Sequence, residues 1–147
     1  MINLHKYRYN NHSLSGEDGV IEKILEISFN KHKLNTCEFG AGDIEENSNT
    51  FNLIKKNKIN FSIFIEKDLA LYQKLLNLKK KYSQIIPLNL FVEFENNNNN
   101  TIDNILKRNN IQNDIDIMSI DIDSYDLDVY RSIEIYHPKL LIIESGR

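Results

Sequence analysis

The chain has 147 residues, 41% of them hydrophobic, with a net charge of −3 and a pI near 5.8. That is enough for one domain with a real core, and it lacks the basic footprint of a nucleic-acid binder. The single cysteine, Cys37, excludes an internal disulfide and fits a reducing, intracellular setting. The four histidines show no metal-ligand spacing, so no metal ligands are assigned. No apolar run is long enough to cross a membrane and no signal peptide is recognised, so neither a membrane nor nucleic acid is expected as a partner. Asparagine makes up about one residue in seven, a bias that fits an AT-rich genome. The run Asn96–Asn100 reads as a flexible surface loop.

In chain order, Tyr7 and Tyr9 suggest a short edge strand. Ser15 to Gly19 (SGEDG) then precedes Val20, Ile21, Ile24, Leu25 and Ile27, an apolar spacing of helical period. Glu17 and Asp18 suit the first turn of that helix, or else face a ligand. The first core strand spans about 35–39 and runs into CEFGAGD, Cys37 to Asp43. Gly40 and Gly42 let the backbone turn sharply and approach a ligand with no Cβ in the way. Ser48 is expected to cap a helix carrying Phe51, Leu53 and Ile54. A second strand, Phe61 to Ile65, ends at Glu66, and Asp68 caps a helix with the stripe Leu71, Leu75 and Leu78. The third strand, Ile85 to Val92, contains Pro87, which argues for a sheet edge. Thr101 caps a helix with Ile102, Ile105 and Leu106. A fourth strand, Ile115 to Ile120, enters Asp121-Ile122-Asp123. Leu127 to Ile133 is helical, with Asp123 or Asp126 as a cap, and Lys139 to Glu144 is a fifth strand.

Strand and helix alternate from residue 34 onward, the pattern of an α/β three-layer sandwich with a mainly parallel, Rossmann-like sheet. Ligands bind such sheets in the crevice at the carboxyl ends of the strands. The loops there carry Glu38, Asp43, Glu66, Asp121 and Asp123. A dinucleotide fingerprint wants a third glycine where Glu45 stands, and carboxylates crowding the turn would repel a pyrophosphate. They suit a ligand carrying positive charge. S-adenosylmethionine has an ammonium, a sulfonium and a ribose diol. Glu38 or Asp121 can take the amino group, and Glu66 can accept both ribose hydroxyls.

These stretches resemble class I S-adenosylmethionine-dependent methyltransferases, more narrowly the FkbM-like family. The similarity rests on Ser15–Leu25, Cys37–Asp43, Asn47–Ile54, Ile65–Asp68, Met118–Asp126 and Leu140–Ser145. The resemblance implies a single methyltransferase-like domain, with 1–33 an N-terminal segment and helix and 34–147 the cofactor-binding core. It implies strand order 3-2-1-4-5. It implies that Glu38, Gly40, Ala41 and Gly42 form the cofactor loop, that Glu66 binds ribose, that Phe91 and Val92 lie near the adenine, and that Asp121 faces the transfer site. Asp121 or Asp123 is expected to be the catalytic base or to hold a metal. Ser124 stands where relatives usually carry glycine. The family sheet has seven strands, so the chain is expected to lack the last two and to transfer methyl groups weakly or not at all.

Two other readings stay open. One is a non-catalytic, methyltransferase-like binding module. The other is a glycosyltransferase, in which Asp121-Ile122-Asp123 holds Mg²⁺ for a sugar nucleotide. The apolar succession Leu140 to Ile143 on an edge strand invites self-association.

Overall fold

The computed structural model describes residues 2–95, 99–112, 114–123 and 125–144. Ser124, Ser145 and 96–98 of the asparagine run lie outside the described residues, as do the expectations attached to them. A 3-10 turn, Leu4–Tyr7, leads to α1 (Glu17–Ser28) and β1 (Leu34–Phe39). Then come α2 (Ile44–Asn47), α3 (Phe51–Lys55), β2 (Ile59–Ile65), α4 (Leu69–Lys81) and β3 (Ile85–Leu88). The series ends with α5 (Ile102–Arg108), β4 (Ile117–Ile120), α6 (Asp126–Arg131) and β5 (Leu140–Ile143). The five strands form one sheet in the order β3-β2-β1-β4-β5, and every pairing is parallel.

Each side of the sheet carries its own core. On one side Cys37, Phe39, Ile63, Ile65, Met118 and Ile120 pack with Ile102, Ile105 and Leu106 of α5 and Val129 of α6. On the other, Leu34, Phe64, Ile85 and Ile117 pack with Ile21 and Leu25 of α1, Leu75 of α4 and the α3 residues Phe51, Leu53 and Ile54. Burial on both faces is what a parallel sheet requires. The second face is polar along its centre: Thr36, Glu38, Ser62 and Ser119 are all buried there. Thr36 and Ser62 share a hydrogen bond across β1 and β2 at 2.6 Å, and Asn49 donates to Ser119 at 3.0 Å, so the stripe is internally paired as burial demands.

Local signals set several boundaries. The Asp68 carboxylate accepts from the Leu71 amide at 2.9 Å, an N-cap worth about 1 kcal/mol, and Lys79, Lys80 and Lys81 close α4 where its dipole favours cations. Thr101 caps α5. Ser48 caps α3 from two positions upstream of its N-cap, accepting from the Thr50 and Phe51 amides. Pro87 does sit on an edge strand. Ser62 and Glu66 donate to the Gln84 and Leu88 carbonyls, so by alternation the Pro87 nitrogen faces away from β2, where no donor is missed.

Two expectations are corrected. Tyr7 and Tyr9 are in no strand: Tyr7 ends the 3-10 turn and Tyr9 follows it. The reason is α1. The Gly19 amide donates to the Tyr9 carbonyl at 3.2 Å, and a Cβ on Gly19 would lie 1.8 Å from the Tyr7 carbonyl oxygen, so this segment lies on the helix rather than along the sheet. The third strand stops at Leu88, not Val92. Asn89 turns its side chain onto the Glu66 and Lys67 carbonyls and takes the chain off the sheet.

Candidate functional site

The loops after β1, β2, β3 and β4 surround a cavity of about 260 Å³ at the carboxyl edge of the sheet. Of the residues singled out in the sequence, Gly40, Gly42, Glu66, Phe91, Val92, Asp121 and Asp123 line it; Lys67, Asp68, Leu71 and Leu90 join them.

The glycine turn serves two purposes. Gly40 has φ 70°, and a Cβ there would sit 1.5 Å from the Asp121 carbonyl oxygen. Its smallness lets the β1 exit cross in contact with the β4 exit. Gly42 has φ 55°, but a Cβ there meets nothing closer than 3.9 Å. It is Gly42, not Gly40, that leaves room in the cavity. Ala41 is buried in the core behind the loop, and its amide donates to the Ile65 carbonyl.

Glu66 is 5% exposed. One carboxylate oxygen accepts from the Gly42 amide at 2.8 Å and the other from the Asp68 amide at 2.7 Å. The group is thereby fixed between two loops, with a further lone pair on each oxygen. Glu38 lies elsewhere. It is buried beneath α3, where Oε2 accepts from the Ser48 and Thr50 hydroxyls and the Thr50 amide, and Oε1 from the Asn49 amide. Burial pushes its carboxyl above the usual range against the pull of these donors. It does not line the cavity; it ties the 48–50 turn to β1.

Across the cavity, carboxylate oxygens of Asp121, Asp123 and Glu144 lie within 4.8 Å of one another. Burial first, then the neighbouring Glu144, Asp123 and Asp126, push the Asp121 carboxyl up to about 6. Asp126 accepts from the Ile122 amide at 2.8 Å, which folds the turn that brings Asp123 round, itself at φ 61°. This cluster can take a proton or attract a cation, including a divalent one. The sequence offered Asp121 and Asp123 for Mg²⁺ but not Glu144, which belongs to a different strand and joins them through the β4–β5 pairing.

Sequence reasoning missed Asn89 and Lys67. Lys67 lies over the Phe91 ring, with Nζ 5.8 Å from its centroid. The only hint was the position of both residues just past the ends of strands. Comparison with family models, curated proteins and solved structures found no match to this chain.

Proposed function

We propose that the chain binds S-adenosylmethionine as an FkbM-like methyltransferase domain, with methyl transfer, expected to be weak on a five-stranded sheet, directed to an oxygen or nitrogen acceptor. The observation that supports this best is Glu66, a buried carboxylate at a strand end, oriented by two backbone amides and lining the cavity. Such a group suits the paired hydroxyls of a ribose. Gly42 leaves the backbone bare beside it, Phe91 and Val92 offer an apolar wall for a base, and Asp121 and Asp123 supply negative charge for a cationic end. The volume is slightly below the roughly 300–1,000 Å³ of drug-sized sites, a size for a nucleoside with its tail directed toward the carboxylates. When bound, the cofactor supplies an electrophilic methyl group. Asp121, its carboxyl raised to about 6, suits the removal of a proton from an acceptor near neutral pH.

Calorimetric titration with S-adenosylhomocysteine tests the reading. The Glu66→Ala variant, shown folded by circular dichroism, should bind about ten- to a hundredfold more weakly, the loss of a charge-assisted hydrogen bond. Unchanged affinity, or no binding by the parent protein, would overturn it. Labelled methyl transfer separates an enzyme from a non-catalytic binder.

The juxtaposition of Asp121, Asp123 and Glu144 favours one second reading, a Mg²⁺-dependent site for a sugar nucleotide. Titration with Mg²⁺ and a uridine diphosphate sugar distinguishes the two. The partner reading concerns β5. The Leu140 and Glu144 amides donate to Asp116 and Ile120 of the β4 segment, so those of Leu141 and Ile143 face away from it. Pairing with a second copy at that edge should appear as concentration-dependent light scattering.

A further inference from the structure

The net charge of −3 hides a segregation. Between residues 47 and 92 the chain carries eight lysines, no arginine and two carboxylates, Glu66 and Asp68, and both carboxylates line the cavity. Six of those lysines collect at the opposite, amino end of the sheet. Lys55, Lys56 and Lys58 lie where α3 ends and β2 begins, and Lys79, Lys80 and Lys81 close α4 just before β3. Lys33 joins them from the entry to β1, its ammonium donating to the Asn57 side chain at 2.7 Å. β3, β2 and β1 are successive neighbours, about 5 Å apart, so the three groups form one face. All seven lysines are exposed, and among the described residues only Lys56 has a carboxylate partner, Glu22.

Helix ends attract cations, but that does not account for Lys33 and Lys58, which precede strands. Nor does it account for Tyr82. The Lys55 and Lys81 ammoniums, from two different helices, stand 5.9 and 5.3 Å from the centroid of its ring, which packs at a right angle against the buried Phe51. Two like charges are thus held near one ring with no carboxylate to neutralise them, and an anion from outside relieves their repulsion. Lysine is a hydrated point charge without the planar fork that reads individual phosphates, and the Tyr82 ring is engaged by ammoniums rather than offered to a base. Both features suit a diffuse array of negative charge better than a nucleic-acid strand. Ile27, 47% exposed on the last turn of α1, adds an apolar contact at the same end of the sheet, which a bilayer interface accepts.

We propose that this lysine face docks the protein on an anionic lipid surface, with headgroup phosphates between Lys55 and Lys81 and the cavity turned away from the bilayer. The docking needs no membrane-crossing segment and does not depend on what the cavity binds.

The test sediments vesicles of phosphatidylglycerol mixed with phosphatidylcholine, and of phosphatidylcholine alone, with the parent protein and two variants. One is the triple variant Lys55→Gln/Lys80→Gln/Lys81→Gln, shown folded by circular dichroism. The other is Lys74→Gln, whose lysine pairs with Asp43 away from this face. The parent should bind only the anionic vesicles and leave them in high salt. The triple variant should bind on the order of a hundredfold more weakly, and Lys74→Gln as the parent does. Should the triple variant fail to fold, Lys58→Gln/Lys79→Gln replaces it, with a loss of about tenfold or more. A parent that ignores anionic vesicles or binds neutral ones equally would overturn the proposal. So would a lysine-face variant that binds like the parent, or an equal loss in Lys74→Gln, which would reduce the effect to net charge. Displacement by inorganic phosphate, at an ionic strength where chloride leaves the vesicles bound, would assign the face to free phosphate instead. Tighter binding to an oligothymidine strand than to the vesicles would assign it to nucleic acid; either outcome overturns the lipid assignment.

Discussion

Gly40 and Gly42 look alike in the sequence and differ in what surrounds them. Alanine at Gly40 must displace the Asp121 backbone, so Gly40→Ala should destabilise the fold by several kcal/mol, on the order of 3 or more. Alanine at Gly42 makes only an ordinary contact with the Gly40 carbonyl oxygen at 3.9 Å and pays for its left-handed conformation, about 1 kcal/mol. Urea denaturation of the two variants checks the contrast; equal losses would contradict it. Asp121 carries a pH signature. Its folded pKa is raised to about 6 from 3.8, so the folded state holds the proton more tightly, and this group's contribution falls as pH rises from about 4 to about 6. Asp121→Asn should therefore stabilise the protein above pH 7, by on the order of 1 kcal/mol once partial exposure is discounted. It should leave stability near pH 4 unchanged. Chemical denaturation at both pH values reads this directly.

Buried carboxylates that gather backbone amides fasten the elements to one another. Asp18, on the first turn of α1, accepts from the Asn11, His12 and Ser13 amides and the Ser13 hydroxyl. Asp103 of α5 accepts from the Glu134, Ile135 and Tyr136 amides, and Glu38 holds the 48–50 turn. Removing such a carboxylate orphans several donors at once, so Glu38→Ala should cost about 2–4 kcal/mol. Asp18→Ala should act more locally, releasing the N-terminal segment from α1. Hydrogen exchange would then show lost protection at residues 11–13 while the sheet amides remain protected. Uniform loss across the protein would instead make this segment part of the global folding unit.

Across the whole molecule, the two ends of β4 have opposite electrostatic roles. At its amino end Asp116 is fully buried and receives Lys31, Lys139 and the Asn35 amide, linking the approach to β1 with β4 and β5. Burial alone would push its carboxyl up, but Lys139, the Asn35 amide and Lys31 outweigh it and hold it below the usual range. Its stabilisation is present above its unfolded pKa and is lost as pH falls through the folded value, below about 4, the reverse of Asp121. Asp116→Ala should destabilise by about 3 kcal/mol at neutral pH and flatten the acid limb of the stability curve. A stability–pH profile of parent and variant checks both. One end of the sheet thus neutralises its carboxylate with lysines. The other leaves three carboxylates together without a cation in their hydrogen bonding among the described residues, and the cavity opens at that end.

The alternation of strand and helix, the caps Asp68 and Thr101 and the edge position of Pro87 were legible in the sequence because they rest on local rules of periodicity and hydrogen-bond donors; the strand order, which the sheet has, was what the resemblance implied. Gly40, Gly42, Glu66, Asp121 and Asp123 of the cavity were legible too, because strand ends in such a sheet converge on one edge; Phe91 and Val92 came from the resemblance. What only the tertiary structure decided is how residues distant in sequence share a carboxylate or a space. Glu38 turned inward because the Ser48–Thr50 turn lies above it. The third strand ended early because Asn89 found the carbonyls of another loop. Glu144 joined Asp121 and Asp123 because β5 pairs with β4. Tyr7 and Tyr9 left the sheet because Gly19 gave them a place on α1. Each is a competition among polar partners, and sequence order does not reveal which partner will be nearest once the chain is compact.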